Sequence, residues 1–232
     1  MTRPRRGAAR DGLLVLLTLT TGAVDASSFL HLGNVFSSVI TGNLILLGVS
    51  AAAASSSLAI HSGTALAGYS VGVLIGAPIA TRRASSGETW PLSVTITLVA
   101  ELCVLAGFSV GWELTGGSPG SAAELLLIAA LAVAMGIQSA AVRELGGMST
   151  TYLTGTLTAV ITDLATRDRK PGLARSVGVL AAVVFGAVAG GLVAEHAPLW
   201  LPAVILTPLA VVVIVSITFE MASASAGPRP DR

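Results

Sequence analysis

Charge is scarce in this chain. Asp, Glu, Lys and Arg together make up 11% of its 232 residues, against roughly a quarter in ordinary soluble domains, and that deficit excludes a conventional water-facing surface. The formal net charge is +1, so no basic face exists to neutralise nucleic-acid phosphates. Cysteine occurs once, at Cys103, which excludes an intrachain disulfide and carries no information on redox compartment. The three histidines, His31, His61 and His196, lack ligand spacing, so no metal site is expected. There is no Gly-rich phosphate loop and no nucleophile elbow, and no cofactor is expected. Without a cluster of catalytic polar residues on one leaflet side, the chain does not read as an enzyme.

What is abundant is apolar sequence. Hydrophobic residues reach 53%, gathered in eight stretches at 13–31, 35–53, 58–80, 91–112, 125–142, 148–166, 176–194 and 199–219. Each is near the roughly 20 residues that cross a bilayer core as a helix. Residues 1–232 therefore read as one membrane domain whose partner is lipid, with flexible cytoplasmic tails at 1–10 and 221–232. Arg3, Arg5, Arg6 and Arg10 before Leu13 to Leu17 imitate a secretory signal. No convincing small-x-small cleavage site follows, and the segment carries part of a duplicated motif, so it is expected to be retained.

That motif is Leu32-Gly33 with Thr41-Gly42-Asn43-Leu44, returning 113 residues later as Leu145-Gly146 with Thr154-Gly155-Thr156-Leu157. An offset close to half the chain implies two copies of one unit, repeat one at 11–113 and repeat two at 124–220. The same offset pairs Asp25 with Gln138. Lys and Arg cluster at 3–10, at Arg82-Arg83, at 167–175 and at Arg229 and Arg232, while the linker 115–123 has none. Eight full crossings from a cytoplasmic amino terminus would put Arg82 and Arg83 outside, against the positive-inside rule. If 13–53 and 125–166 each make one net crossing, every cluster falls inside. Six net crossings follow, three per half, and the second copy enters the membrane inverted. Arg143, between two apolar stretches, is the charge that fits least. Inverted repeats recur in secondary transporters, where broken segments at the repeat interface build the substrate site.

The Thr-Gly segments are the expected breaks. Gly33 to Ile40 opens with turn residues and continues with β-branched and aromatic ones, and helical character resumes at Gly42. Thr41 suits an N-cap, Gly42 a turn or close approach, and Asn43 adds an amide in the first turn. A helix that starts at mid-membrane offers free N–H groups and a positive dipole end. Thr154, Gly155 and Thr156 repeat the arrangement. Two half-helices facing each other would enclose a central polar pocket, so Thr41, Gly42, Asn43, Gln138, Thr154, Gly155 and Thr156 are the substrate-binding candidates. The plainer reading is that Thr and Gly merely allow close helix packing.

Two carboxylates lie deep in apolar stretches, where insertion costs roughly 2.5–3.5 kcal/mol. Asp25 is the candidate carrier of H⁺ or Na⁺, the alternative being an interhelical hydrogen-bonding role. Glu101 falls opposite Ile214 at the repeat offset, outside the symmetric scaffold, and is the second ion-coupling candidate. His61 and Tyr69, eight residues apart, could share a face, and packing is the stronger reading for both. His31, Glu195 and His196 fall at segment ends, where solvent or head groups satisfy them. Gly68, Gly72 and Gly76, matched by Gly178, Gly186 and Gly190, form small-residue seams either between repeats or in a homodimer. Pro78, Pro202 and Pro208 are expected at kinks or ends.

Gly22-Ala23-Val24-Asp25-Ala26, Val35-Phe36, Thr41-Gly42-Asn43-Leu44, Gly136-Ile137-Gln138 and Thr150-Thr151-Tyr152-Leu153-Thr154-Gly155-Thr156-Leu157 together resemble the YoaK-like family of bacterial inner-membrane proteins of unknown function. The similarity covers nearly the whole chain, and the combination of blocks is specific. It implies a multi-pass protein of the bacterial plasma membrane and no established activity. From the residues alone, the expected function is secondary transport of a small solute, coupled to H⁺ or Na⁺. A non-transporting scaffold or assembly protein is the rival.

Overall fold

A computed structural model describes residues 3–82, 90–145, 153–166 and 172–224. Among them the fold is all-α: α1 (Arg3–His31), α2 (Ile40–Ala52), α3 (Ser56–Thr81), α4 (Leu92–Leu114), α5 (Ser121–Glu144), α6 (Leu153–Thr166), α7 (Leu173–His196) and α8 (Leu201–Ala224). A single 3-10 turn, Pro198–Trp200, leads into α8. Six of these helices are long and apolar enough to cross a bilayer. The two that carry the Thr-Gly motifs, α2 with 13 residues and α6 with 14, are too short.

Contacts near the helix ends fix the directions. Asp11 and Arg175 meet at 3.3 Å and His31 and Glu195 at 3.4 Å, so α1 and α7 run parallel. His61 and Glu124, at 3.4 Å, join the amino-terminal ends of α3 and α5, which are also parallel. Arg10 donates to the Leu145 carbonyl just beyond α5, making α1 and α5 antiparallel. Trp112, near the end of α4, donates from Nε1 to the Pro198 carbonyl at 2.7 Å. One end of the bundle therefore holds Arg10, Arg82, Arg143 and Arg175. The opposite end, closed by segments 32–39, 53–55, 115–120 and 197–200, contains no Lys or Arg. Arg143, which the sequence left as the awkward charge, sits in the last turn of α5 and joins the arginine end.

The most extensive interfaces are α3 with α5 and α1 with α7. Lipid provides no hydrophobic drive for helix association, so close van der Waals approach has to supply it. Gly72 lies against the backbone of Val133 and Gly136 on α5, and Gly186 against the backbone of Leu19 on α1. A side chain at either position would collide with a carbonyl. Gly68 and Gly76 face α5, and Gly190 faces Ala23 of α1. These seams lie between the two halves of the chain, the first of the two places left open for them.

Along α4, Val94, Leu98, Glu101, Leu105, Phe108 and Trp112 recur at three- and four-residue spacing and are all buried, forming one wall of the core with Leu201, Ile205 and Leu209 of α8. Leu74, Leu126 and Phe185 point outward, as a lipid-facing surface requires. Pro78 and Pro208 lie inside continuous helices. Two expectations about the ends change. Helix α1 already begins at Arg3, so residues 3–10 are helical rather than a flexible tail, and α8 continues to Ala224. Residues 225–232, and the second-repeat positions Gly146 and 150–152, lie outside the described residues.

Candidate functional site

Four polar residues of α1 share one face. Thr18, Thr21, Asp25 and Ser28 are spaced by three and four and are all buried. The Thr18 and Thr21 hydroxyls donate to the carbonyls of Leu14 and Leu17, at 2.8 and 3.1 Å, and Ser28 is bonded through its hydroxyl to that of Ser37. Asp25, six residues before the end of α1, lies about 9 Å below the arginine-free end at 1.5 Å per residue.

Asp25 holds the broken segment. Its Oδ1 accepts from the backbone N–H groups of Ser37 at 2.9 Å and Ser38 at 2.8 Å, and its Oδ2 accepts from the Ser38 hydroxyl. The chain turns back at Gly33 and Asn34, whose φ values of 77° and 57° are left-handed, and the Asn34 amide donates to the Phe29 carbonyl at 3.1 Å. Asn43 completes the clamp: its Oδ1 accepts from the Phe36 N–H at 3.0 Å, and its Nδ2 donates to the Phe36 carbonyl. Non-helical backbone at membrane depth needs such partners, because an unsatisfied amide there costs several kcal/mol.

This geometry corrects the assignment of Thr41 as N-cap. The cap position is Val39, with no side-chain bond, and Thr41 is exposed. The Val39 carbonyl already accepts from the Asn43 N–H at 3.2 Å, so little is left for a Thr41 hydroxyl to cap. Gly42 rests against the side chains of Val39 and Phe36. In the second copy Thr154 and Gly155 are exposed and Thr156 is buried.

Among the described residues, the two Thr-Gly helices have no substantial contact with one another. Helix α2 packs on α3 and α6 on α7, while α1 pairs with α7 and α3 with α5 through their glycine seams. A polar contact between α1 and α5 joins the two halves. Gln138 donates from Nε2 to Thr21 Oγ1 at 2.9 Å and to the Leu17 carbonyl at 3.3 Å, while its Oε1 is buried without a partner. Asp25 and Gln138, equivalent in register, do different work: one anchors its own loop and the other reaches across the repeat boundary to the α1 face that Asp25 shares.

Glu101 stands apart. It is fully buried in the core wall of α4, and neither carboxyl oxygen has a hydrogen-bond partner.

A cavity of about 840 Å³ opens at the arginine-free end. Phe29, Asn34, Ser57, His61, Ser121 and Glu124 contribute to its lining, and none of the substrate-binding or ion-coupling candidates does. Gly33 lies against the His61 ring. His31 and Glu195, expected to be satisfied by solvent, pair with each other instead. The sequence reading missed Thr21, Ser37, Ser38 and Glu124. The face formed by Thr18, Thr21, Asp25 and Ser28 was available as helical spacing; the return of Ser37 and Ser38 onto Asp25 depends on the turn at Gly33 and Asn34.

The model of the family described as protein of unknown function DUF1275 matches residues 13–217. The transmembrane protein YoaK of Bacillus subtilis (strain 168), of the group UPF0700, is 32% identical over 164 residues, covering 69% of each chain. No solved structure matches. With nearly all of its helical bundle inside the match, the chain belongs to this YoaK-like family of multi-pass transmembrane proteins, DUF1275.

Proposed function

We propose that this protein is a secondary transporter of a small solute in the bacterial plasma membrane, built from two inverted repeats, with the arginine end and the amino terminus in the cytoplasm. Glu101 carries the coupling H⁺ or Na⁺. The observation that bears most on this reading is Glu101 itself: a fully buried carboxyl group with neither oxygen bonded. A carboxyl kept only for structure would be expected to have partners, as Asp25 does, and intramembrane ionisable residues without them are costly unless they act. Asp25, with both oxygens committed to Ser37 and Ser38, is better suited to setting the depth of the broken segment than to exchanging an ion.

Several features support the inverted arrangement. Helix α1 is antiparallel to α5, its partner at the 113-residue offset, and the dominant interfaces α1–α7 and α3–α5 exchange under that offset. The basic residues gather at one end, as the positive-inside rule requires of a cytoplasmic face. Thr21 and Gln138, at the contact between α1 and α5, together with the free Oε1 of Gln138, offer a polar point between the repeats for solute. Thr156, buried on α6, would belong to a second broken segment equivalent to the first. No catalytic constellation is proposed; the reaction is movement of solute.

The test is charge movement in proteoliposomes on a solid-supported membrane, challenged with panels of amino acids, sugars, amines and nucleosides. Wild-type protein should give a saturable current with at least one class, and Glu101→Gln should lose it while remaining folded. A Glu101→Gln protein with undiminished current would overturn the coupling role.

A further inference from the structure

The buried side of α4 is polar on one half of its length and apolar on the other. Ser93, Thr97 and Glu101 follow each other at four-residue spacing along one side of the helix, and all three are buried. Ser93 stands in the first turn of α4, at the arginine end of the bundle. Glu101 lies about 12 Å deeper at 1.5 Å per residue, with Thr97 half-way between. The Thr97 hydroxyl donates to the Ser93 carbonyl at 2.7 Å, and the Ser93 hydroxyl is buried without a partner. In the other direction the next positions are Leu105, Phe108 and Trp112, all large and buried. Ser109 lies among them, with its hydroxyl bonded to the Leu105 carbonyl at 2.8 Å and separated from Glu101 by Leu105. Hydroxyls thus lead from Glu101 toward the arginine end, and apolar side chains close the opposite path.

The surroundings of Glu101 also select the ion. On the helices packed against α4, the titratable residues His61, Glu124, Arg143, Glu144 and Glu220 lie within two turns of a helix end. Tyr69, nearer the middle of α3, makes no bond to the carboxyl group. On α4 itself Cys103 is exposed and Glu113 lies in the last turn. A carboxylate in this position would be a bare charge in apolar packing, a state that buried groups leave by becoming neutral. A hard cation such as Na⁺ needs several oxygens around it at once. On α4 the only hydroxyl within one turn of Glu101 is that of Thr97, and no cluster of three or more His, Cys, Asp or Glu occurs among the described residues. A proton needs the carboxylate alone.

We propose that Glu101 binds and releases H⁺ rather than Na⁺, and that the proton reaches it from the arginine end along Ser93 and Thr97. A hydroxyl both accepts and donates, so with water bridging successive groups this side of α4 conducts a proton over a span that Leu105, Phe108 and Trp112 block on the other side. The step is a protonation and nothing more: the carboxylate takes H⁺ from water at the arginine end, becomes the neutral acid, and returns H⁺ to water. Glu101 keeps its coupling role, on which this assignment rests, and the coupled ion is H⁺.

The test follows the acid form of Glu101 in full-length protein in liposomes, with no solute present. Infrared difference spectra between acidic and alkaline buffer should show the carbonyl band of a carboxylic acid that disappears in alkali, is missing from Glu101→Gln, and is the same in sodium and potassium salts. Glu101→Leu serves as the comparison if Glu101→Gln does not purify as a folded protein. After a rapid jump to alkaline pH, Thr97→Val should slow the loss of that band by about tenfold, the effect of roughly one lost hydrogen bond. Ser93→Ala should slow it in the same direction, and Ser109→Ala should leave it unchanged. No band that depends on Glu101, a band that persists in alkali, its loss on adding Na⁺, an unchanged rate in both Ser93→Ala and Thr97→Val, or equal slowing by Ser109→Ala overturns the proposal. A protein that shows the band and its relay dependence but gives no solute current retains the proton site and loses the transport reading, whereas a solute current driven by a Na⁺ gradient retains transport and overturns the proton assignment.

Discussion

Asp25 and Ser38, thirteen residues apart, are joined twice: the Ser38 N–H donates to Oδ1 at 2.8 Å and its hydroxyl donates to Oδ2. A helix and the segment that follows it are thereby locked at a fixed depth, and the start of α2 inherits that depth. The same carboxylate also takes the Ser37 N–H, so three donors depend on one side chain.

Asp25→Ala leaves those donors buried without an acceptor, at roughly 1–3 kcal/mol each before relaxation. The expected loss is about 3 kcal/mol or more in a detergent or denaturant unfolding titration. Asp25→Asn keeps an oxygen for the two backbone N–H groups and can donate to the Ser38 hydroxyl, so its loss should be only about 1 kcal/mol. If the two variants were equally destabilised, the anchoring role would be wrong.

Asn43→Leu removes both bonds to Phe36 while preserving approximate volume. A loss of about 2 kcal/mol is expected, with hydrogen–deuterium exchange accelerated at residues 36–38 ahead of the long helices. Unchanged exchange in that segment would show that the clamp is dispensable.

Glu101 should behave in the opposite sense. Because neither oxygen is bonded, Glu101→Leu removes a desolvated polar group and breaks no hydrogen bond, and the protein should be as stable as wild type or more so. A stability loss of several kcal/mol would mean that Glu101 has a structural partner.

Gly186→Val places a branched side chain against the Leu19 backbone. Overpacking costs about 1–3 kcal/mol where neighbours can shift, and a carbonyl in a helix shifts little, so the loss should reach the top of that range or exceed it. Valine at Gly155, which has open space around it, is the control and should cost under about 1 kcal/mol. Equal effects at the two sites would refute the seam.

Orientation is tested by cysteine accessibility. In a Cys103→Ser background, Ser118→Cys should react with a membrane-impermeant maleimide in intact cells, and Arg82→Cys only after permeabilisation. The reverse pattern would invert the proposed topology.

The sequence made the class and the helix count legible because lipid forces apolar runs of a fixed length, and the duplicated motif survived as an exact spacing. Thr41 does not cap α2 although its residue type suits a cap, because Asn43 and the Val39 carbonyl already serve the local donors. Facing half-helices were expected because the offset reveals that two units exist but not how they interlock; the glycine seams decided that by pairing α1 with α7 and α3 with α5. The His61–Glu124 cavity was invisible for the same reason, since the two residues are 63 positions apart and meet only through that exchange.

The central claim is that Glu101 couples an ion to solute movement. Parallel current recordings on wild-type and Glu101→Gln proteoliposomes, matched for folded protein, test it most directly. The account predicts a saturable solute-dependent current in the wild type and none in Glu101→Gln. Equal currents in both, or none in either across the solute panels, would contradict it.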